Sequence, residues 1–310
     1  MKLLRERLGI VASALGEDPH EAPLLSRRAG FRGLLFDVWS ANLAVPELSF
    51  TGRREFRRLL ASHQQQLIGL RMDLGPRGLA PGADVDRQIS RIDRAMEAAA
   101  GLESPLVCVD VGPLPAPAMV SQPRPTMRAE SIRPEQAGLI IIPTPEQIAE
   151  LQPPPAPAAG APEPAFVSQV NAALAEIGRR ADRYSVTVAF SSSLAGFAAL
   201  HEALSAAACP WFGVDLDPVA MLRDEWSADQ IFSAVGPLVR HVRARDALLG
   251  QDRRTRPAMI GQGDIDWQQL LSLLDDAGYS GWISIDPIEL TDRLAAASQA
   301  AKYLRAAAGR

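Results

Sequence analysis

Short, nearly unbroken apolar runs alternate along this chain with stretches whose apolar positions recur every three or four residues. The runs are Leu8–Ala12, Gly33–Val38, Gln66–Met72, Leu106–Val111, Val186–Phe190, Trp211–Leu216, Leu238–Val242 and Trp282–Asp286. Runs of this kind predict parallel strands buried on both faces. Between them, Glu21–Ala29, Arg53–His63, Val85–Ala100, Phe166–Arg183, Ala195–Ala207, Ala228–Val235, Trp267–Ala277 and Asp292–Ala308 have the spacing of amphipathic helices. Asp266 can cap the helix that begins at Trp267, and Gly278 can stop it. Eight strands alternating with eight helices predict an α/β fold, a (β/α)8 TIM barrel, with residues 1–310 as one domain.

One interval breaks the rhythm. Residues 113–164, after the fourth strand, hold more than half of the chain's 25 prolines, including Pro153-Pro154-Pro155. Such a segment cannot continue as a regular helix and favours extended chain. Within it, Leu139–Ile142 reads as a short docked strand and Pro145–Leu151 as a helical turn or two. The segment is a surface excursion, or a lid or partner-contact arm, because it leaves the strand end at which barrels build active sites.

Composition narrows the function. The 310 residues carry a formal charge of −4, and this weak acidity argues against a nucleic-acid partner, which normally calls for a basic stripe. Cys108 and Cys209 alone cannot make a disulfide scaffold or a cysteine-rich zinc fold. No apolar run reaches about 18 residues, so no membrane span is expected. The basic start Met1–Arg7 superficially resembles a signal peptide. The apolar stretch behind it is short, broken by Gly9 and followed by Glu17-Asp18, so it reads as a first strand and a cytoplasmic location is expected.

Phosphate-loop, dinucleotide, nucleophile-elbow and HExxH motifs are absent. Of the four histidines, only His241 lies in a strand, where a hydrogen-bonded core role competes with a ligand role. Carboxylates are more informative: Asp37, Asp73, Asp110, Asp215, Asp217, Asp246 and Asp286 fall at or near strand ends. On a barrel such groups converge on one mouth, where cations or arginines must offset them. Arg71, Arg243 and Arg245 are placed to do so. The competing explanation is that each Asp merely caps the next helix. Trp39, Trp211 and Trp282 lie near strands and serve as packing or as sugar-site walls.

Four segments then stand out: Ala29-Gly30-Phe31-Arg32-Gly33, Val242-Arg243-Ala244-Arg245-Asp246, Ile260-Gly261-Gln262-Gly263-Asp264-Ile265-Asp266-Trp267, and Ala277-Gly278-Tyr279-Ser280-Gly281-Trp282-Ile283-Ser284-Ile285-Asp286. In this order the chain resembles the sugar-phosphate isomerase/epimerase superfamily, the xylose-isomerase-like TIM barrels. The second segment is similar to the family's V-H-x-K-D, and the third to its G-x-G-[DE] loop.

The resemblance implies one divalent metal held by Glu, Asp, His and Glu at the ends of strands five to eight, with the two Glu moving a proton between adjacent carbons. Carried onto this chain, those positions are Ser191, Asp217, Arg243 and Asp286. Serine cannot replace a carboxylate ligand and base, and a guanidinium offers no lone pair. No cofactor is therefore expected; the alternative is one divalent Mn, Mg, Co or Zn on Asp217 and Asp286. Asp217, Asp286 and Arg243 are the catalytic candidates, and Arg71, Asp37, Asp110, Asp246 and Trp39 the substrate-binding ones. Arg243 is expected to pair with Asp217 or Asp286 and to attract an anion. The implied function is proton transfer on a small sugar or polyol. The alternative is an inactive barrel that binds an anionic ligand, or a protein partner through the Pro-rich segment. A homodimer stays open. A nuclease reading fails for want of a His/Glu cluster.

Overall fold

The computed structural model describes residues 7–116, 163–224 and 226–308. Eight parallel strands close into a barrel in chain order: β1 Leu8–Val11, β2 Gly33–Asp37, β3 Gln66–Asp73, β4 Leu106–Asp110, β5 Thr187–Ser191, β6 Phe212–Leu216, β7 Val239–Ala244 and β8 Trp282–Ile285, with β8 pairing β1. The α-helices among the described residues are α1 Ala22–Arg28, α2 Phe50–Ser62, α3 Val85–Gly101, α4 Pro164–Tyr184, α5 Phe197–Ala207, α6 Pro218–Arg223, α7 Ala228–Val235, α8 Trp267–Asp276 and α9 Arg293–Ala307. The expected (β/α)8 barrel is present. Most of the Pro-rich segment, with Leu139–Ile142 and Pro145–Leu151, lies outside the described residues.

Alternate residues of a strand face opposite ways, which sorts the core into two parts. Val11, Leu35, Ile68, Leu106, Cys108 and Ala189 cluster inside the barrel. Ile10, Leu34, Val107, Val188 and Val214 belong to the larger cluster between strands and helices. The lower barrel is tight: a Cβ on Gly33 would come within 2.8 Å of both Ile68 and Trp282.

Several boundaries differ from the sequence reading for local reasons. α2 starts at Phe50, not Arg53, because the Ser49 hydroxyl accepts the Gly52 N–H at 3.1 Å and caps it. β7 runs on to Ala244, which puts Arg243 within the strand. Two antiparallel hairpins and one short helix were not expected. Trp39–Ser40 pairs with Leu43–Ala44 after β2, Asp246–Leu249 pairs with Thr255–Ala258 after β7, and α6 follows β6 directly.

The segments that carried the resemblance have packing reasons. Gly261 has φ +83°, and a Cβ on Gly263 would sit 2.1 Å from the Asp246 carboxylate, so only glycine lets that loop wrap the acid. Gly278, φ +68°, ends α8, and the Tyr279 hydroxyl donates to the Trp282 carbonyl at 2.6 Å.

Candidate active site

The period-two pattern places a polar layer above the apolar barrel interior. Its lower tier is buried except for Arg243, which reaches up to the cavity above. His241 Nδ1 lies 2.7 Å from Asp215 Oδ1, and His241 Nε2 lies 2.8 Å from the Ser284 hydroxyl. Arg243 Nε donates to Asp215 Oδ2 at 2.7 Å, and its NH2 donates to the Ser191 hydroxyl at 2.9 Å. Burial is the largest influence on Asp215 and pushes its carboxyl up. Arg243 and His241 together outweigh it and hold the pKa at about 2. Burial likewise works against the Arg243 charge, but Asp215 and Asp217 more than offset it, so its pKa is raised.

The upper tier walls a cavity of about 250 Å³, lined by Asp37, Asp73, Asp110, Asp286 and Glu289 and by Arg71, Arg243 and Arg245. Arg71 links two acids, donating from Nε to Asp37 at 2.6 Å and from NH1 to Asp286 at 2.7 Å. Arg245 joins Asp217 at 3.1 Å and Glu289 at 2.9 Å. Asp110 has no arginine of its own. It accepts the Gly112 N–H at 3.0 Å and the Ser193 N–H at 3.3 Å. Burial dominates and raises its pKa; the Gly112 hydrogen bond and Arg243 act against that, and the neighbouring Asp73 adds to it.

The site residues expected from sequence therefore separate. Asp37, Arg71, Asp110, Arg243 and Asp286 line one cavity. Three expectations need correction. Arg243 pairs with Asp215 rather than Asp217 or Asp286, because Asp215 is the inward-facing residue opposite His241 on the paired strand. Asp246 does not reach the cavity: its buried carboxylate accepts N–H groups of Gly261, Ile265 and the Trp267 indole at 2.8–3.3 Å. Trp39 sits in the first hairpin with the Arg91 guanidinium 5.0 Å from its ring centre, and is not a cavity wall. Asp217 caps α6 through the Val219 N–H at 3.0 Å while it holds Arg245.

Sequence reasoning missed Ser284 and Ser13, whose hydroxyl meets Arg71 at 3.4 Å. Period two was the available signal for Ser284: Trp282, Ser284 and Asp286 share a face just as His241, Arg243 and Arg245 do.

The four family-type ligand positions do not fit a divalent cation. Ser191 supplies a neutral hydroxyl already bonded to Arg243, and Arg243 itself brings a positive charge. Asp217 and Asp286 are each engaged by an arginine. Among the described residues, ligand-type atoms of Cys108, Asp215 and His241 lie within 4.8 Å of one another. Both imidazole nitrogens there are already bonded, and burial, with Asp215 beside it, pushes the Cys108 thiol well up.

A closed parallel barrel with acids and arginines at the C-terminal mouth is the layout of a TIM-barrel enzyme scaffold. Comparison places it more narrowly: residues 24–307 match the family described as xylose isomerase-like TIM barrel, and the chain belongs to that family. Solved structures similar to it include a xylose isomerase domain protein from Planctomyces limnophilus (13% identity, TM-score 0.71, 97% of this chain and 96% of that one). A D-psicose 3-epimerase with D-tagatose from Clostridium cellulolyticum H10 is also similar (12%, 0.68, 97% and 99%). So is a xylose isomerase-like TIM barrel protein from Mycobacterium smegmatis in complex with magnesium (13%, 0.66, 98% and 97%). No curated protein sequence matches the chain.

Proposed function

We propose that this protein moves a proton next to the carbonyl of a small, uncharged sugar or polyol-derived ketose, as an isomerase or epimerase, without a cation at the family's metal position. The carrying observation is Asp110, a carboxyl whose pKa burial raises, on the wall of the mouth cavity that also holds the Arg71–Asp286 pair. A raised carboxyl is a stronger base when ionised and a readier acid when protonated. Asp110 takes the proton from the carbon beside the carbonyl. Arg71 and Arg243 donate hydrogen bonds to the oxygen on which negative charge develops; Asp110 then delivers the proton to the adjacent carbon in an isomerisation, whereas in an epimerisation a proton from a second acid or water reaches the same carbon from the opposite face.

The charge balance favours a neutral polyol over an anion. Five acids face three arginines around the cavity, and the arginines are already bonded to carboxylates. At about 250 Å³ the cavity falls just below the usual range of ligand pockets, ~300–1,000 Å³, which favours a small ligand. The family's sugar epimerases support the substrate class.

The test is proton NMR of D-allulose, D-tagatose and D-fructose in D2O with excess chelator. Wash-in of solvent deuterium beside the carbonyl, lost in Asp110→Asn, is the expected result. No exchange with any of these sugars would favour the inactive, ligand-binding reading. Exchange that survives Asp110→Asn would remove Asp110 from the mechanism.

A further inference from the structure

A wide cavity lies at the opposite end of the barrel from the mouth. It measures about 1100 Å³ and lies against the N-terminal ends of the strands, where Gln66, Leu106, Thr187 and Trp282 begin β3, β4, β5 and β8. Six arginines from three parts of the chain converge on it: Arg7 ahead of β1, Arg53, Arg54, Arg57 and Arg58 on α2, and Arg240 on β7. Among the described residues one carboxylate, Glu103, lines the same cavity, and it pairs with Arg57.

Among the described residues, most of this charge meets no carboxylate. Among the described residues, Arg7 and Arg240 donate only to backbone carbonyls, those of Ser280 and of Pro237 and Val239. Arg54 and Arg58 are exposed and make no hydrogen bond or ion pair among the described residues. The Arg53 guanidinium packs so closely over Gly101 that a Cβ there would meet its NH1 at 2.4 Å, and its Nε is buried with no acceptor. Like charges gathered in one concavity repel, and a buried donor without a partner is costly. Both costs fall if an anion enters.

The geometry points to a second binding site here, for a small molecule that carries several phosphate groups. Planar guanidinium forks match phosphate oxygens two at a time, and among the described residues arginine is the sole cation type lining the cavity. A single phosphate could engage only part of so wide a set. Ile68, Leu106 and Trp282 supply an apolar wall for the body of the ligand. The concave shape suits a compact molecule better than a duplex, and the chain's overall charge of −4 gives no general attraction to nucleic acid. This site shares no residue with the mouth and does not depend on the function proposed for it.

The test is calorimetric titration of the full chain with ATP and with inorganic tripolyphosphate at physiological salt, with a ten-nucleotide uridine RNA as competitor. Expected are one site per chain for a polyphosphate probe and a loss of about tenfold or more in affinity in the Arg54→Glu/Arg58→Glu variant. Those side chains are exposed, so an unchanged melting temperature will show that the variant folds. ATP binding tighter than tripolyphosphate assigns the apolar wall to a ring-bearing ligand; equal binding assigns the site to the phosphates alone. The proposal is overturned if neither probe binds, if the double variant binds as well as the parent, or if the RNA displaces ATP at a lower concentration than ATP displaces itself.

Discussion

Asp110 and Asp215 are both buried aspartates at the barrel mouth, yet their surroundings drive them apart. Asp215 has a guanidinium and an imidazole against it; Asp110 has two backbone N–H groups and a neighbouring acid. That divergence separates a structural charge from a chemical one. Removing the Asp110 charge should relieve the fold: Asp110→Asn keeps an acceptor for Gly112 and Ser193 and loses the buried negative charge. We expect its melting temperature at pH 7–8 to equal or exceed the parent's by calorimetry, while deuterium wash-in disappears. A lower melting temperature would contradict the burial argument. Asp215 behaves in the opposite sense. Its folded pKa, about 2, lies below the ordinary 3.8, so its stabilising effect is complete above about pH 4 and is lost as pH falls through 2. Asp215→Ala strands Arg243 and His241 in the interior and should cost ~3–5 kcal/mol in urea unfolding. A loss below about 1 kcal/mol would show that water or a rotated partner compensates.

Among the elements, the loop from Met259 to Asp266 explains why one stretch of sequence is so recognisable without lining the mouth cavity. Asp246 opens the second hairpin, and its carboxylate gathers the loop's N–H groups and the Trp267 indole, which is fully buried. Gly263→Ala places a methyl on that carboxylate and should destabilise the protein by ~1–3 kcal/mol. Backbone amides of residues 246–265 should exchange faster with deuterium, while those of β4 and β5 stay protected. Uniform loss of protection across the barrel would mean the loop is not a separable unit. Asp246 also shows the limit of reading elements from sequence. An acid after a strand predicts a place at the mouth equally well whether the chain continues outward or folds into a hairpin. Only the pairing of Asp246–Leu249 with Thr255–Ala258 decides between them.

Across the whole molecule, the barrel was legible because strands buried on both faces leave unbroken apolar runs, and amphipathic helices separate them. The mouth was legible in its residue types and only partly in its partnerships. Asp37, Asp110 and Asp286 stand out from strand ends, Arg71 as their counter-charge and Arg243 from the family resemblance, and the five share a cavity. The pairing of Arg243 with Asp215 depends on inter-strand register, which shifts between Val214 and Asp215, and no single-strand pattern reports it. The basic floor cavity was illegible for a different reason: arginines on α2 read as a solvated helix face until Arg7 and Arg240 are brought beside them.

The account rests most heavily on Arg243 taking the place of a metal ligand. Elemental analysis of the purified protein, with calorimetric titration of Mn, Mg, Co and Zn, tests this directly. The account predicts no stoichiometric metal and no change in melting temperature or sugar exchange after chelation. One metal per chain, lost in Asp217→Asn or Asp286→Asn together with exchange, would contradict it and return the mouth to the family's metal chemistry.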